Sequence, residues 1–396
     1  MSAPSPVLSP PAQIAPAEIY LDYAATAPLH PGAAQAILSG HRLVGNPSSR
    51  HSAGRDAADA LSDARQTVAR LFGADAEEVV LTSGGSEANT LALWGTFAAV
   101  GFQGHLVTSS IEHSAVLANA HALQDLGVEV TFVDPAPTGH VDAAQVARAL
   151  RRETRLISVM HANNETGAIQ PVEEIAEIAA RSGSAFHVDA VHTAGKLDLT
   201  SIGATMISVS AHKFGGPRGM GALLVRGGHQ LLPVMRGGPQ ENRLRAGTEN
   251  VPGALGMAAA AEACLSSVSM GYRLGMRDRR EQLLDGLGAV GGVHLNVTEP
   301  VLEETISVRF DGIRADTLAD DLDMHGIYVS TGSACHAGED SVSHVLQAMR
   351  LTEDQARATV RISMGPDVSP DDVDRVVAIT TRAVHRLRAM AGGMVR

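Results

Sequence analysis

Lysine is nearly absent from this chain. Of its 31 basic residues only Lys196 and Lys213 are lysines, so chemistry that needs a side-chain amine has two candidates. Cysteine is as scarce. Cys264 and Cys335 are the only two, too few for a disulfide framework and without the spacing of metal ligands. Aromatic residues make up 3% of the chain and the net charge is −12, which excludes the basic, base-stacking surface of a nucleic-acid binder. No stretch approaches the roughly 18 apolar residues of a membrane span. Ser-centred GxSxG and Walker-type phosphate motifs are missing too. The opening MSAPSPVLSPPAQIAPAE holds no Lys or Arg and five prolines in its first sixteen positions. It predicts a flexible Pro/Ala-rich tail over residues 1–18, not a secretory or transit peptide, and hence a cytoplasmic protein.

What is present is the patterning of an α/β protein. With 396 residues, 44% of them hydrophobic, the chain has room for a large domain and a smaller one. Apolar residues at Ala57, Leu61, Ala64, Val68 and Leu71 recur at a helical period between Ser52 and Phe72. EVVLTS, HLVTSS, VEVTFV, RLISVM, AFHVDA and MISVSA read as strands, with helical stretches such as ANTLALWGTFAAV and VEEIAEIAARSG between several of them. That alternation predicts βα units and a mostly parallel sheet. Near residue 265 the Ala-rich GALGMAAAAEACLSSV leads into a second, α+β region with strands TISVRF and ATVRIS. Its last helix has a legible start, with Ser369 as N-cap, Pro370 at the first helical position, and Asp371 and Asp372 in the first turn.

The scarce residues carry the chemistry. Lys213, in SVSAHKFGGPRGMGALLV, stands between an apolar run and a Gly-rich turn, the setting of a Schiff-base lysine and so of pyridoxal phosphate. Lys196, in TAGKLDL, reads as a surface residue. Strand EVVLTS followed by Gly84, Gly85 and Ser86 and then a helix suits a phosphate at a helix N-terminus, although a plain Gly-rich turn gives the same pattern. Asp189, at the carboxyl end of AFHVDA, is placed where open α/β sheets bind ligands and suits a pyridine nitrogen. Cys335 lies in STGSACHAGED, a Gly/Ser/Ala stretch unsuited to core packing, and so reads as an accessible, reactive thiol. Cys264, in the Ala-rich helix, reads as a small core residue. His113, just after a strand, and His212, beside Lys213, stand out among the 17 histidines.

Taken in order, YLDYAATAP, GNPSSRHSAGR, TSGGSEANT, EHSAV, MHANNETGAIQP, HVDAVHTAGK, SAHKFGGPRGMGAL, RAGTENV, STGSACHAG and VRISMG resemble the cysteine desulfurases. These are fold-type I, class V aminotransferase-like pyridoxal-phosphate enzymes, and the likeness is nearest to their nitrogen-fixation and iron–sulfur-cluster branch. The resemblance implies a large cofactor-binding domain over residues 29–265 and a small domain from residues 19–28 and 266–396, with the catalytic cysteine loop near residues 330–343. It implies that Lys213 is the Schiff-base lysine and Cα proton carrier, and that His113 stacks on the ring and takes part in proton transfer. Asp189 would pair with the ring nitrogen, and Asn164 would sit near the phenolic oxygen and the substrate. Gly85, Ser86, Ser210 and His212 match phosphate positions, and Thr248 matches a phosphate ligand supplied across a homodimer interface. Arg361 matches the anchor of the substrate carboxylate. His192 stands where the family usually has Gln, and its own protonation is expected to tune the cofactor. The implied reaction turns L-cysteine into alanine and leaves a persulfide on Cys335. The sulfur then passes to an acceptor or scaffold protein for iron–sulfur clusters or other thio-cofactors. A selenocysteine lyase or another enzyme of the same fold is the nearest alternative, and an inactive scaffold the more distant one.

Overall fold

The computed structural model describes residues 18–267, 270–331 and 342–393. In chain order the first strands are β1 (Ile19–Tyr20), β2 (Val79–Thr82), β3 (His105–Ser109), β4 (Glu129–Val133), β5 (Thr154–Ser158), β6 (Ala185–Asp189), β7 (Met206–Ser210) and β8 (Gly221–Val225). β9 (Val293–Leu295), β10 (Thr305–Phe310), β11 (Ile327–Tyr328), β12 (Ser330–Thr331) and β13 (Thr359–Ser363) follow. The α-helices are α1 (Pro31–Gly40), α2 (Ser52–Arg70), α3 (Gly85–Ala99), α4 (Ser114–Asp125), α5 (Ala143–Ala149) and α6 (Val172–Ser182). After them come α7 (Val251–Ser267), α8 (Met270–Gly288), α9 (Ala315–Asp323), α10 (His344–Ala348), α11 (Glu353–Arg357) and α12 (Pro370–Gly393).

Strands β2 to β8 form one seven-stranded sheet in the order β2-β8-β7-β6-β5-β3-β4. Neighbouring residues along each strand point to opposite faces. Here both faces are covered: Leu106, Leu156, Met206 and Leu223 enter one apolar core, while Val107, Ile157, Ile207 and Leu224 enter another. A sheet buried on both sides needs continuous apolar runs, which is why these strands are legible in the sequence. The run GALLV, which the sequence reading leaves within the turn after Lys213, is β8. It pairs antiparallel with both β2 and β7, and the remaining pairs are parallel. The helices obey the same logic. Val172, Ile175, Ile178 and Ala179 are the buried stripe of α6, and Gly183, at φ 73°, ends that helix in the left-handed conformation.

The second part is a four-stranded antiparallel sheet, β12-β13-β10-β9, beside the parallel pair β1-β11. It has its own apolar core, which includes Ile19, Leu21, Leu283, Ile306, Val308, Phe310, Ile362 and Val384. Helix α12 starts as its sequence predicts: Ser369 Oγ accepts from the Asp372 amide at 3.1 Å, and the Asp372 carboxylate accepts from the Ser369 amide at 2.9 Å. Residues 19–25 are stitched to this second sheet. The Tyr23 amide donates to the Ser363 carbonyl, and the Ala24 amide to Ser363 Oγ at 2.9 Å. That seam carries Ala24 and Ala25 to the carboxyl ends of the large sheet's parallel strands, where the cavity opens.

Candidate active site

A cavity of about 290 Å³ opens at the carboxyl ends of β6 and β7, beside the N-terminus of α3. Asp189, the last residue of β6, reaches it with 5% of its surface exposed. Its carboxylate accepts from Asn89 Nδ2 at 2.6 Å and from the Val191 amide at 2.9 Å. Those two donors fix the orientation of the carboxylate in the cavity.

Lys213 follows β7 through the short 3-10 turn Ala211–Lys213. Its Nζ donates to the carbonyls of Ala24 at 2.5 Å and Ala25 at 3.0 Å. The amine is therefore aimed into the cavity by backbone from the other sheet's seam. His113 is the N-cap of α4, and its Nδ1 accepts from the Ala115 amide at 3.0 Å. The bond leaves the proton of the neutral ring on Nε2. Burial lowers the His113 pKa, Asp189 opposes that, and Lys213 adds to the lowering.

Gly85 and Ser86 open α3, and Ser210 and His212 face them across the cavity. A Cβ on Gly85 would lie 2.5 Å from Val191 Cγ2, so only glycine brings the first turn of the helix this close to the β6 loop. The result is a pocket of backbone N–H groups and small hydroxyls at a helix N-terminus. His212 is pushed down to about 4, first by burial and then by Lys213 and Arg218. Its Nδ1 meets Thr26 Oγ1 at 3.2 Å.

Arg361, on β13, lines the same cavity and is 4% exposed. Its Nη2 donates to Asp22 Oδ1 at 2.6 Å and its Nη1 to the Asn164 carbonyl at 3.1 Å. Its Nε is buried with no hydrogen-bond partner among the described residues. His192 is fully buried: Nε2 lies 3.1 Å from Thr305 Oγ1, and Nδ1 has no partner among the described residues. Burial, then the charges of Lys196, Lys213 and Arg361, hold its pKa well below 6.5. Burial and these charges favour the neutral imidazole, against the expectation that His192 tunes the site through its own protonation.

The cavity gathers Gly85, Ser86, His113, Asn164, Asp189, His192, Ser210, His212, Lys213 and Arg361. Thr248 is exposed and lies away from it, between β8 and α7. Cys335 falls outside the described residues. Lys196 is a correction. It is largely buried, with 12% of its side chain exposed, and paired with Glu304 at 3.4 Å, and burial lowers its pKa despite that partner. Cys264 packs against the core of the large sheet, with its thiol 3.7 Å from the Phe214 carbonyl and pushed up to about 11 by burial. The sequence reading also missed Asn89, Asp22 and Glu112. Glu112 is wholly buried beside His113; its Oε1 accepts from Ser109 Oγ and the Met160 amide, and burial raises it to about 8. Among the described residues no group of three or more His, Cys, Asp or Glu could hold a metal. No helix there is long and apolar enough to cross a membrane.

The chain belongs to the aminotransferase class-V family, whose model matches residues 19–376. It is 37% identical over 379 residues to the cysteine desulfurase IscS of Dictyoglomus turgidum, covering 94% of this chain and 96% of that protein. To a cysteine desulfurase of Cereibacter sphaeroides it is 40% identical over 380 residues, covering 94% and 97%. The solved structure of a NifS-like protein superposes with a TM-score of 0.87 at 32% identity, covering 93% of this chain and 99% of that one. SspA in complex with cysteine superposes at 0.79 with 35% identity, over 88% and 99% of the two chains.

Proposed function

We propose that this protein is a pyridoxal-phosphate-dependent cysteine desulfurase. The observation that carries the reading is the convergence on one cavity of the Lys213 amine, the Asp189 carboxylate, the α3 N-terminus and the Arg361 guanidinium. The residues fit the cofactor: a lysine for its aldehyde, a buried carboxylate for its ring nitrogen, and a glycine-cleared helix end for its phosphate. The buried, unpartnered Nδ1 of His192 is a polar atom awaiting a ligand. Bound there, pyridoxal phosphate supplies an aldehyde for the substrate amine and a protonated ring that accepts the electron pair left when the Cα proton departs.

Each side chain then has a task. Arg361 holds the substrate carboxylate, itself fixed by Asp22 and the Asn164 carbonyl. Asp189 keeps the ring nitrogen protonated. Gly85, Ser86, Ser210 and His212 hold the phosphate, with Thr248 of a second protomer completing it in a homodimer. Lys213 Nζ takes the Cα proton and returns one at the end, while His113 Nε2–H faces the reacting atoms as a proton donor. The Cys335 thiolate attacks the substrate sulfur. An S–S bond forms, the C–S bond breaks with its electrons left on carbon, and protonation releases alanine. The terminal sulfur passes from Cys335 to an acceptor protein for iron–sulfur clusters or thio-cofactors. In the same reading residues 29–265 hold the cofactor, residues 19–28 and 266–396 bring Arg361 and Cys335, and the protein works in the cytoplasm.

The test is alanine and sulfide release from L-cysteine with a thiol reductant, comparing the protein with Cys335→Ala at matched cofactor occupancy. Both products are expected from the parent and neither from the variant. An equally active variant would remove Cys335 as the sulfur carrier.

A further inference from the structure

His192 enters the cavity from the loop after β6, and Thr305 meets it from the first position of β10 in the other sheet. Both are buried, His192 at 4% and Thr305 at 0% exposure. The single hydrogen bond between them, Nε2 to Oγ1 at 3.1 Å, is the only one either side chain makes among the described residues. Thr305 has little freedom to move. Its amide donates to the Leu302 carbonyl, its carbonyl accepts from Arg280 Nη1 at 3.0 Å, and it pairs with Ser363 on β13. Gly167 closes the other side, since a Cβ there would lie 2.8 Å from the Thr305 carbonyl oxygen.

A neutral imidazole has one N–H and one bare nitrogen, and the bond to Thr305 can run either way. If Nε2–H donated, the Thr305 hydroxyl proton would be buried without an acceptor, and the bare Nδ1 would be buried without a donor. If Thr305 donates to a bare Nε2, only the Nδ1–H is left over. Buried donors and acceptors are costly to strand, so the second arrangement wins by count. We propose that Thr305 is a positioning residue that donates to His192 Nε2 and so fixes the ring proton on Nδ1, presenting a neutral N–H donor to an acceptor oxygen of the cavity's ligand.

The proposal rests on the pyridoxal-phosphate reading only for the identity of that ligand, whose ring hydroxyl oxygen is the acceptor in question. Burial first, and then the charged groups acting on His192, Lys196, Lys213 and Arg361, all cationic, favour the neutral ring. Thr305 thereby links the second sheet to the ligand of the first. Movement of β10 would release the tautomer.

The test reads the tautomer directly by NMR of the protein labelled in its histidine rings. The His192 signal is identified by its loss in His192→Gln. The expected result is a proton on Nδ1 in the cofactor-free protein and in Thr305→Ser, and a mixture of tautomers in Thr305→Val. In the reconstituted proteins, the pH midpoint of the visible cofactor band should rise by roughly half a unit to one unit in Thr305→Val and stay in place in Thr305→Ser. A proton on Nε2 in the parent, or a Thr305→Ser midpoint that moves with Thr305→Val, overturns the proposal. A parent that shows the Nδ1 proton but takes up no cofactor overturns the pyridoxal-phosphate reading and leaves the Thr305–His192 assignment standing.

Discussion

Arg361 illustrates how much of the site is set by single side chains. Its guanidinium spends one nitrogen on Asp22 and another on the Asn164 carbonyl, and still has N–H groups on a fixed plane, which the proposed reading assigns to the substrate carboxylate. Lysine keeps the charge but has neither the fork nor the reach to serve all three partners. We therefore expect Arg361→Lys to lower kcat/KM for L-cysteine by about 10- to 100-fold. Most of that should appear in KM, with the visible cofactor band unchanged; a variant with unaltered KM would remove Arg361 as the anchor. Residues such as Lys213 and Asp189 were legible in the sequence because each stands at or just past the end of a recognisable strand, where an α/β sheet places its ligands. Lys196, Asn89 and Asp22 were not. What draws Lys196 inward is Glu304 on the approach to β10, and what makes Asn89, on α3, matter is its bond to Asp189 at the end of β6. Such pairings exist only once the chain has folded, so local composition carries no sign of them.

At the scale of elements, the sequence yields whatever both-sided burial imprints on it. The parallel strands are continuous apolar runs and were found; β8, equally apolar, was hidden because the Gly-rich stretch before it reads as an open turn. The short β1, β11 and β12 have only two residues each, below the length at which alternation can be detected. In the proposed reading the junction of β2 with α3 holds the phosphate, and its geometry hangs on Gly85. Alanine there must push against Val191 Cγ2, which its Cβ would approach to 2.5 Å. We expect Gly85→Ala to weaken pyridoxal phosphate binding by about tenfold, and Val191→Ala in the same chain to restore most of it. If the double variant is no better than the single one, the clash with Val191 is not what Gly85 avoids.

The whole molecule carries a pH signature, because its interior holds titratable groups whose charges burial suppresses in both directions. His105 bridges β4 and β5, meeting Thr131 and Thr154 at 2.8 and 2.9 Å; His187 bridges β5 and β7, meeting Ser158 and Ser208 at 2.9 Å each. These neutral rings form polar rungs across the sheet. Burial pushes His105 and His161 down to about 4 and His187 down to about 3, and lowers His113 and His192 as well. Three acids, Glu112, Glu165 and Glu303, shift the other way. Burial raises Glu112 to about 8 and Glu165 to about 7, the latter although Ser343 Oγ donates to it. Below 6.5, the ordinary value of histidine, the unfolded chain binds protons that the folded histidines refuse. The histidines outnumber these acids, so stability rises with pH in that range. As pH climbs past 6.5 the unfolded histidines lose their protons too, and by about pH 7.5 they are neutral in both states. There the folded protein still holds protons on Glu112 and Glu165 that the unfolded chain has lost, so stability falls as pH climbs through about 7 to about 8. The cofactor-free protein should accordingly have its highest Tm at about pH 7 and lose stability on both sides, measured by thermal unfolding from about pH 5 to about pH 9. Glu112→Gln removes one of these acids. Whatever offset it adds to Tm, the alkaline slope should flatten, while the acid slope, owed to the histidines, should not become shallower. A Tm that climbs steadily through neutrality, or an alkaline slope that Glu112→Gln leaves unchanged, would show that Glu112 is ionised in the fold and that the interior pays for that charge in some other way.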